Sequence, residues 1–166
     1  MTPYERAKAD IGTFEWADGS NPKVLAYFKD AGGHNISDDS VPWCAAFVGS
    51  MLERSGIKST RMLNARSYLE WGTPVELKDA VEGDIVVFRR GSSSWQGHVG
   101  FFVKQAGNVI QVLGGNQSDA VNVSTYFTAT LLGVRRVPQT IPVLPLNPFV
   151  VILNAILKLL GRKQSV

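Results

Sequence analysis

Apolar residues recur at helical spacing through the first half of the chain and in short alternating or continuous runs through the second. Thr2 and Pro3 open a predicted helix: Thr2 can cap it, Pro3 suits its first turn, and Glu5 stands where a capping box needs it. Tyr4, Ala7 and Ile11 then fall on one face. The stretch from Ala17 to Pro22 reads as a turn, and Pro22 to Asp30 as a short helix carrying Val24, Leu25, Tyr27 and Phe28. Asp38 to Pro42 is a polar lead-in, in which Asp38 and Asp39 are read as capping the next helix or lining a site. That helix runs from Trp43 to Ser55, with Cys44, Phe47, Val48, Met51 and Leu52 at helical spacing and Gly56 closing it. Asn64 to Trp71 is read as a further helix, ended by Gly72-Thr73-Pro74.

Beyond Pro74 the pattern becomes one of strands. Ile85 to Phe88, His98 to Lys104, Val109 to Leu113, Val121 to Tyr126 and Leu131 to Val137 are β-rich runs. Gly107-Asn108 makes a hairpin of the second and third. Helices first and an antiparallel sheet after predict an α+β fold with the N-terminal helices packed on the sheet. Residues 1–137 form one expected domain and 138–148 a Pro-rich linker. Residues 149–166 form an apolar and basic C-terminal helix.

The 166 residues suffice for one domain with its own core. The only cysteine, Cys44, excludes an internal disulfide, and with two histidines a thiolate and imidazole zinc site is not expected. No metal or other cofactor is expected. The net charge of +3 is a mild excess, which fits attraction to an anionic polymer such as a cell wall or a nucleic acid. The polar N-terminus lacks the apolar region of a signal peptide, so a target outside the cytoplasm would require another route of delivery.

Cys44 lies in the first turn of its predicted helix, where the helix N-terminus favours thiolate and free N–H groups can hold an oxyanion. A lone cysteine is more often a small buried hydrophobe, but this position offers more than burial needs. His98 opens a core strand after the Gly-containing segment Gln96-Gly97, so the sheet can bring it to that helix terminus. Asn116, in the Gly114-Gly115-Asn116-Gln117 segment after the next strand, can orient the imidazole. Cys, His and a polar third residue are the general layout of a thiol nucleophile. Trp43, Trp95, Gln96 and Gln117 are candidate substrate-binding residues.

Four blocks in this order carry a family resemblance: Pro42 to Val48, Gly83 to Phe88, Gly97 to Phe101, and Gly114 to Ser118. Over roughly Met1 to Val137 the chain resembles the phage and prophage CHAP-related proteins of the NlpC/P60 superfamily. The resemblance implies a papain-like α+β fold and hydrolysis of amide bonds in peptidoglycan, by an amidase or an endopeptidase. Many CHAP domains carry a Glu where this chain has Gly114, so the implied orienter is Asn116, with Gln117 as the alternative. Some bind calcium through spaced acids before the cysteine; Asp38 and Asp39 do not supply such a set.

The expected partner is therefore bacterial peptidoglycan and not nucleic acid. The family points to an endolysin or a virion-associated lysin, made in the host cytoplasm and delivered to the wall through a holin or an injection device. The alternatives are a secreted antibacterial effector of the same chemistry and a non-catalytic phage structural or binding module. Phe149 to Leu160 is too short to span a bilayer, which needs about 20 residues. With Lys158, Arg162 and Lys163 it either packs on the domain or a second copy, or lies on a membrane surface.

Overall fold

A computed structural model describes residues 1–138; the linker beyond Pro138 and the expected C-terminal helix lie outside the described residues. Three helices come first: α1 (Pro3–Ala9), α2 (Pro22–Asp30) and α3 (Cys44–Glu53). The capping box of α1 is present, with the Thr2 N–H donating to Glu5 Oε2 at 2.7 Å and the Glu5 N–H to Thr2 Oγ1 at 3.2 Å. The helix stops at Ala9, short of Ile11, which is 51 % exposed rather than on the buried face with Ala7. Asn21 caps α2 through Lys23 N–H, and Val24, Tyr27 and Phe28 face inward.

Every residue of α3 from Cys44 to Leu52 is buried, because α1 and α2 cover it on one side and the sheet on the other. Its C-terminus closes around Gly56 (φ +75°), with Gly56 N–H donating to Glu53 O and Ile57 N–H to Leu52 O. This is the left-handed glycine close expected there. The segment expected as a helix after Asn64 is a 3₁₀ turn, Ala65–Glu70. Six residues between Asn64 and the extended Trp71 favour tighter i→i+3 bonding.

The sheet contains β1 (Thr73–Val75), β2 (Ile85–Arg89), β3 (Gly97–Ala106), β4 (Val109–Gly114), β5 (Asn122–Phe127) and β6 (Leu131–Arg136). Their order is β1-β6-β2-β3-β4-β5, and every pairing is antiparallel. The α+β layout expected from the sequence is thus the observed one. Strand β1 was not anticipated; it is three residues long with a central proline, which an edge strand tolerates. Ile85, Val87, Val99, Phe101 and Leu113 pack against the helices in the main core. The alternate residues Val86, Phe88, Phe102, Ile110, Val112 and Val134 form a second cluster on the other face, with Tyr126 against it.

Asp39, read as a cap for α3 or a site residue, does neither. It is 2 % exposed and accepts from the backbone N–H of Trp16 (3.1 Å) and of Asn21 (2.7 Å), tying the 12–21 loop to the segment before α3. Asp38 instead accepts from Ser40 N–H in a local turn. Asp39→Ala strands two backbone donors and is expected to cost about 2–3 kcal/mol, measured by urea unfolding. A change within about 0.5 kcal/mol, as for ordinary surface substitutions, would remove Asp39 from the supports of the fold.

Candidate active site

The N-terminus of α3 meets the start of β3 at one end of the sheet. Register places His98 opposite Phe88 and Gly97 opposite Arg89. A cavity of about 280 Å³ opens there, with Cys44 and His98 both in its wall. Asn116, Trp95 and Gln96 also line it. No side chain caps α3, since its N-cap residue Trp43 makes no capping bond. The free backbone N–H groups of its first turn therefore remain available beside the sulfur.

The bond to His98 comes from Gln117, not from Asn116. His98 Nε2 lies 3.0 Å from Gln117 Oε1, and Gln117 is itself buried. The amide orientation is set by its surroundings: Gln117 Nε2 donates to Val112 O, Asn122 O and Asn122 Oδ1. Oε1 must then be the acceptor, so His98 carries its proton on Nε2 and leaves Nδ1 as a bare lone pair. Nδ1 is buried and has no hydrogen-bond partner. Asn122 continues the chain, donating to Gln117 O and accepting from Ser124 Oγ.

Backbone geometry explains the exchange of roles. Asn116 has φ +55° and Ser118 +52°. The left-handed conformation, which Asn tolerates better than most residues, turns position 117 inward and leaves position 116 on the cavity wall. A Cβ on Gly114 would sit 2.9 Å from Gln117 Oε1 and 3.2 Å from His98 Nε2. The space beside Gly114 is thus occupied by the glutamine amide. Gln117 is accordingly buried behind His98 and does not line the cavity as a substrate contact would.

Trp43 also leaves the list of substrate contacts. It is fully buried, stacks on Tyr27, meets Phe47 edge-on and donates from Nε1 to Glu15 Oε1 at 2.6 Å. Trp95, by contrast, is 67 % exposed on the 90–96 loop. That loop is held by Arg66, which donates to Gln96 O and Ser93 O. The sequence reading missed Tyr126, whose ring stacks on His98 at 4.9 Å and on Phe88 at 4.8 Å. It also missed Asn122 and Arg90. The alternation of β5 held a signal for two of these, since Asn122, Ser124 and Tyr126 share one face.

Burial pushes the Cys44 thiol up; hydrogen bonds from the backbone of Val99, Ala45 and Cys44 itself and the charge of Arg90 act against it. Burial pushes His98 down to about 4, with the Gln117 bond acting against the shift and Arg90 adding to it. The resting pair is therefore a neutral thiol and a neutral imidazole rather than an ion pair. From the ordinary 6.5 down to about 4, the unfolded chain binds a proton that the folded chain refuses. Stability falls as pH falls through that window, by about 3 kcal/mol from this group. Urea unfolding at pH 7 and pH 4 should show that loss in the wild type and not in His98→Ala, and equal losses would refute it.

Among the described residues no three His, Cys, Asp or Glu side chains gather as a metal site requires, and Asp38 and Asp39 are turned to backbone N–H groups.

A helix with a cysteine in its first turn, docked on an antiparallel strand that begins with a histidine, is the arrangement of a papain-like α+β fold. Residues 36–116, which hold Cys44, His98 and Asn116, match the CHAP domain family, and the fold is similar to solved structures of the NlpC/P60 family. No curated protein sequence matches the chain significantly. Among solved structures it is similar to a Staphylococcus aureus subsp. aureus Mu50 protein of the NLP/P60 family, described as similar to lipoprotein, at 18 % identity and a TM-score of 0.53. That likeness covers 84 % of this chain and 41 % of the staphylococcal one, so the chain spans about two fifths of that protein. It is also similar to the wild-type endolysin LysIME-EF1 (15 % identity, TM-score 0.53, 85 % of this chain and 67 % of that one). A third similar structure is RipD of Mycobacterium tuberculosis, a non-catalytic NlpC/p60 domain protein adapted to peptidoglycan binding. Its figures are 18 % identity, a TM-score of 0.51, and 82 % and 95 % coverage. The family is generally one of cysteine peptidases and amidases, with non-catalytic members among them.

Proposed function

We propose that the protein is a peptidoglycan hydrolase, a cysteine amidase or endopeptidase, with Cys44 as nucleophile and His98 as base. The observation that carries this is the Gln117–His98 bond, which leaves Nδ1 as the free basic nitrogen of an imidazole that shares one cavity wall with Cys44. Nδ1 takes the Cys44 proton as the sulfur attacks the amide carbonyl. The uncapped first turn of α3 holds the developing oxyanion. The protonated imidazole then gives its proton to the leaving amine, and water cleaves the thioester. A neutral resting pair suits this order, in which the proton moves as the substrate arrives.

The setting we propose is a bacteriophage lysin, endolysin or virion-borne, that reaches the wall from the host cytoplasm through a pore or an injection device. The likeness to an endolysin supports this setting. A second reading, a wall-binding module without turnover, is favoured by the raised thiol and by the likeness to RipD. Digestion of purified peptidoglycan with mass spectrometry of the products separates them. Free stem peptides mean an amidase, split peptides an endopeptidase. Binding without fragments from several wall types would overturn the hydrolase reading in favour of the module.

A further inference from the structure

Among the described residues, Arg90 is the one cationic side chain in the wall of the active-site cavity, and no carboxylate lines that wall. It follows β2 directly and its backbone N–H donates to Gln96 O, so it faces the start of β3 across the 90–96 loop. Its guanidinium makes no ion pair among the described residues. Nearby Arg66 differs, because its guanidinium is spent on Gln96 O and Ser93 O. Arg54, Arg61 and Arg136 are each paired with acids. Pro42, Leu63, Ala65 and Trp95 make much of the remaining wall apolar. The positive charge of Arg90 reaches Cys44, His98 and Tyr126, lowering the proton affinity of each.

An unpaired guanidinium beside an apolar wall is a site for a planar anion, because Arg binds carboxylate in a bidentate fork and the wall reduces competition from water. We propose that Arg90 determines specificity by receiving a free carboxylate of the wall peptide next to the scissile amide, an inference that rests on the hydrolase reading above. The preferred substrate is then a stem peptide whose carboxyl groups are free rather than amidated. Trp95 and the apolar wall take the uncharged part of the same peptide.

The test compares wild type and Arg90→Gln on one wall preparation, before and after its carboxyl groups are coupled with ammonia to carboxamides. In the wild type, kcat/KM is expected to fall about tenfold on amidation, the size of one hydrogen bond to a charged group. In Arg90→Gln the ratio of the two substrates should approach one. The same ratio in both proteins overturns the proposal and leaves the hydrolase reading standing. Should the wild type cut neither wall, the hydrolase reading falls, and alkylation of Cys44 decides the role of Arg90. Iodoacetate and iodoacetamide both form an S–C bond at the thiolate and release iodide, differing only in carboxylate against carboxamide. The iodoacetate-to-iodoacetamide rate ratio is expected to be several-fold higher in wild type than in Arg90→Gln. Equal ratios, or a thiol that neither reagent reaches, overturn the proposal.

Discussion

Cys44→Ala and His98→Ala are each expected to lower wall hydrolysis by at least about a thousandfold, the first by removing the nucleophile and the second by removing the general base. The informative contrast lies one step further out. Gln117→Ala leaves Nε2 without an acceptor and frees the imidazole to adopt the other tautomer, which places its proton on the nitrogen that must accept one. Its kcat is expected to fall about a hundredfold with KM little changed, in the range of lost orienting groups. Gln117→Glu keeps an acceptor for Nε2 but sets its second oxygen against Val112 O and Asn122 O, which the glutamine amide donates to, so it is not expected to restore the loss. Asn116→Ala, on the cavity wall but not bonded to His98, should act mainly on KM. Steady-state kinetics on solubilised wall peptides across pH checks all of these. A larger kcat loss for Asn116→Ala than for Gln117→Ala would return the orienting role to Asn116.

Gly115→Ala is expected to be the most damaging small substitution in the domain. A Cβ there would lie 2.5 Å from Trp43 Cζ3 and 2.6 Å from Phe47 Cβ, where the strand end presses on the first turn of α3. Neither neighbour can yield easily: Trp43 is held by Tyr27 and Glu15, and Phe47 by Tyr27 and Phe101. Relief requires the strand and the helix to separate, at a cost of about 3 kcal/mol, the upper end for overpacked cores. Thermal or urea unfolding measures it. A loss below about 1 kcal/mol would mean that the contact has slack the geometry does not show.

Much of this arrangement was legible in the sequence because period and position carry it. The apolar face of α3, the Gly56 close and the alternation of β2 to β6 are local signals, and they place Cys44 and His98 at the same end of the sheet. What was not legible depended on direction rather than on residue type. Asn116 and Gln117 are adjacent amides, and only a left-handed φ at one decides which enters the core. Trp43 and Trp95 are the same residue type, one beside Cys44 and one three residues before His98, yet one is clamped among aromatic rings and the other stands in solvent. Ile11 was misplaced because the helix ends two residues early, and β1 was concealed by Pro74. Tyr126 meets His98 through a ring stack between β5 and β3, strands that are not paired with each other, so no local pattern announces it.

The hydrogen-bonded relay from Ser124 through Asn122 and Gln117 to His98 begins on β5, which has a neighbour on one side only. Elements with fewer buried contacts open locally at lower free energy than the core. Because Tyr126 leaves with the same strand, one local opening removes both the support beneath the imidazole ring and the bond that fixes its tautomer. The core formed by α3, β2 and β3 can meanwhile remain folded. The proposed chemistry thus depends on the sheet margin, and local opening of that strand is expected to abolish it without global unfolding.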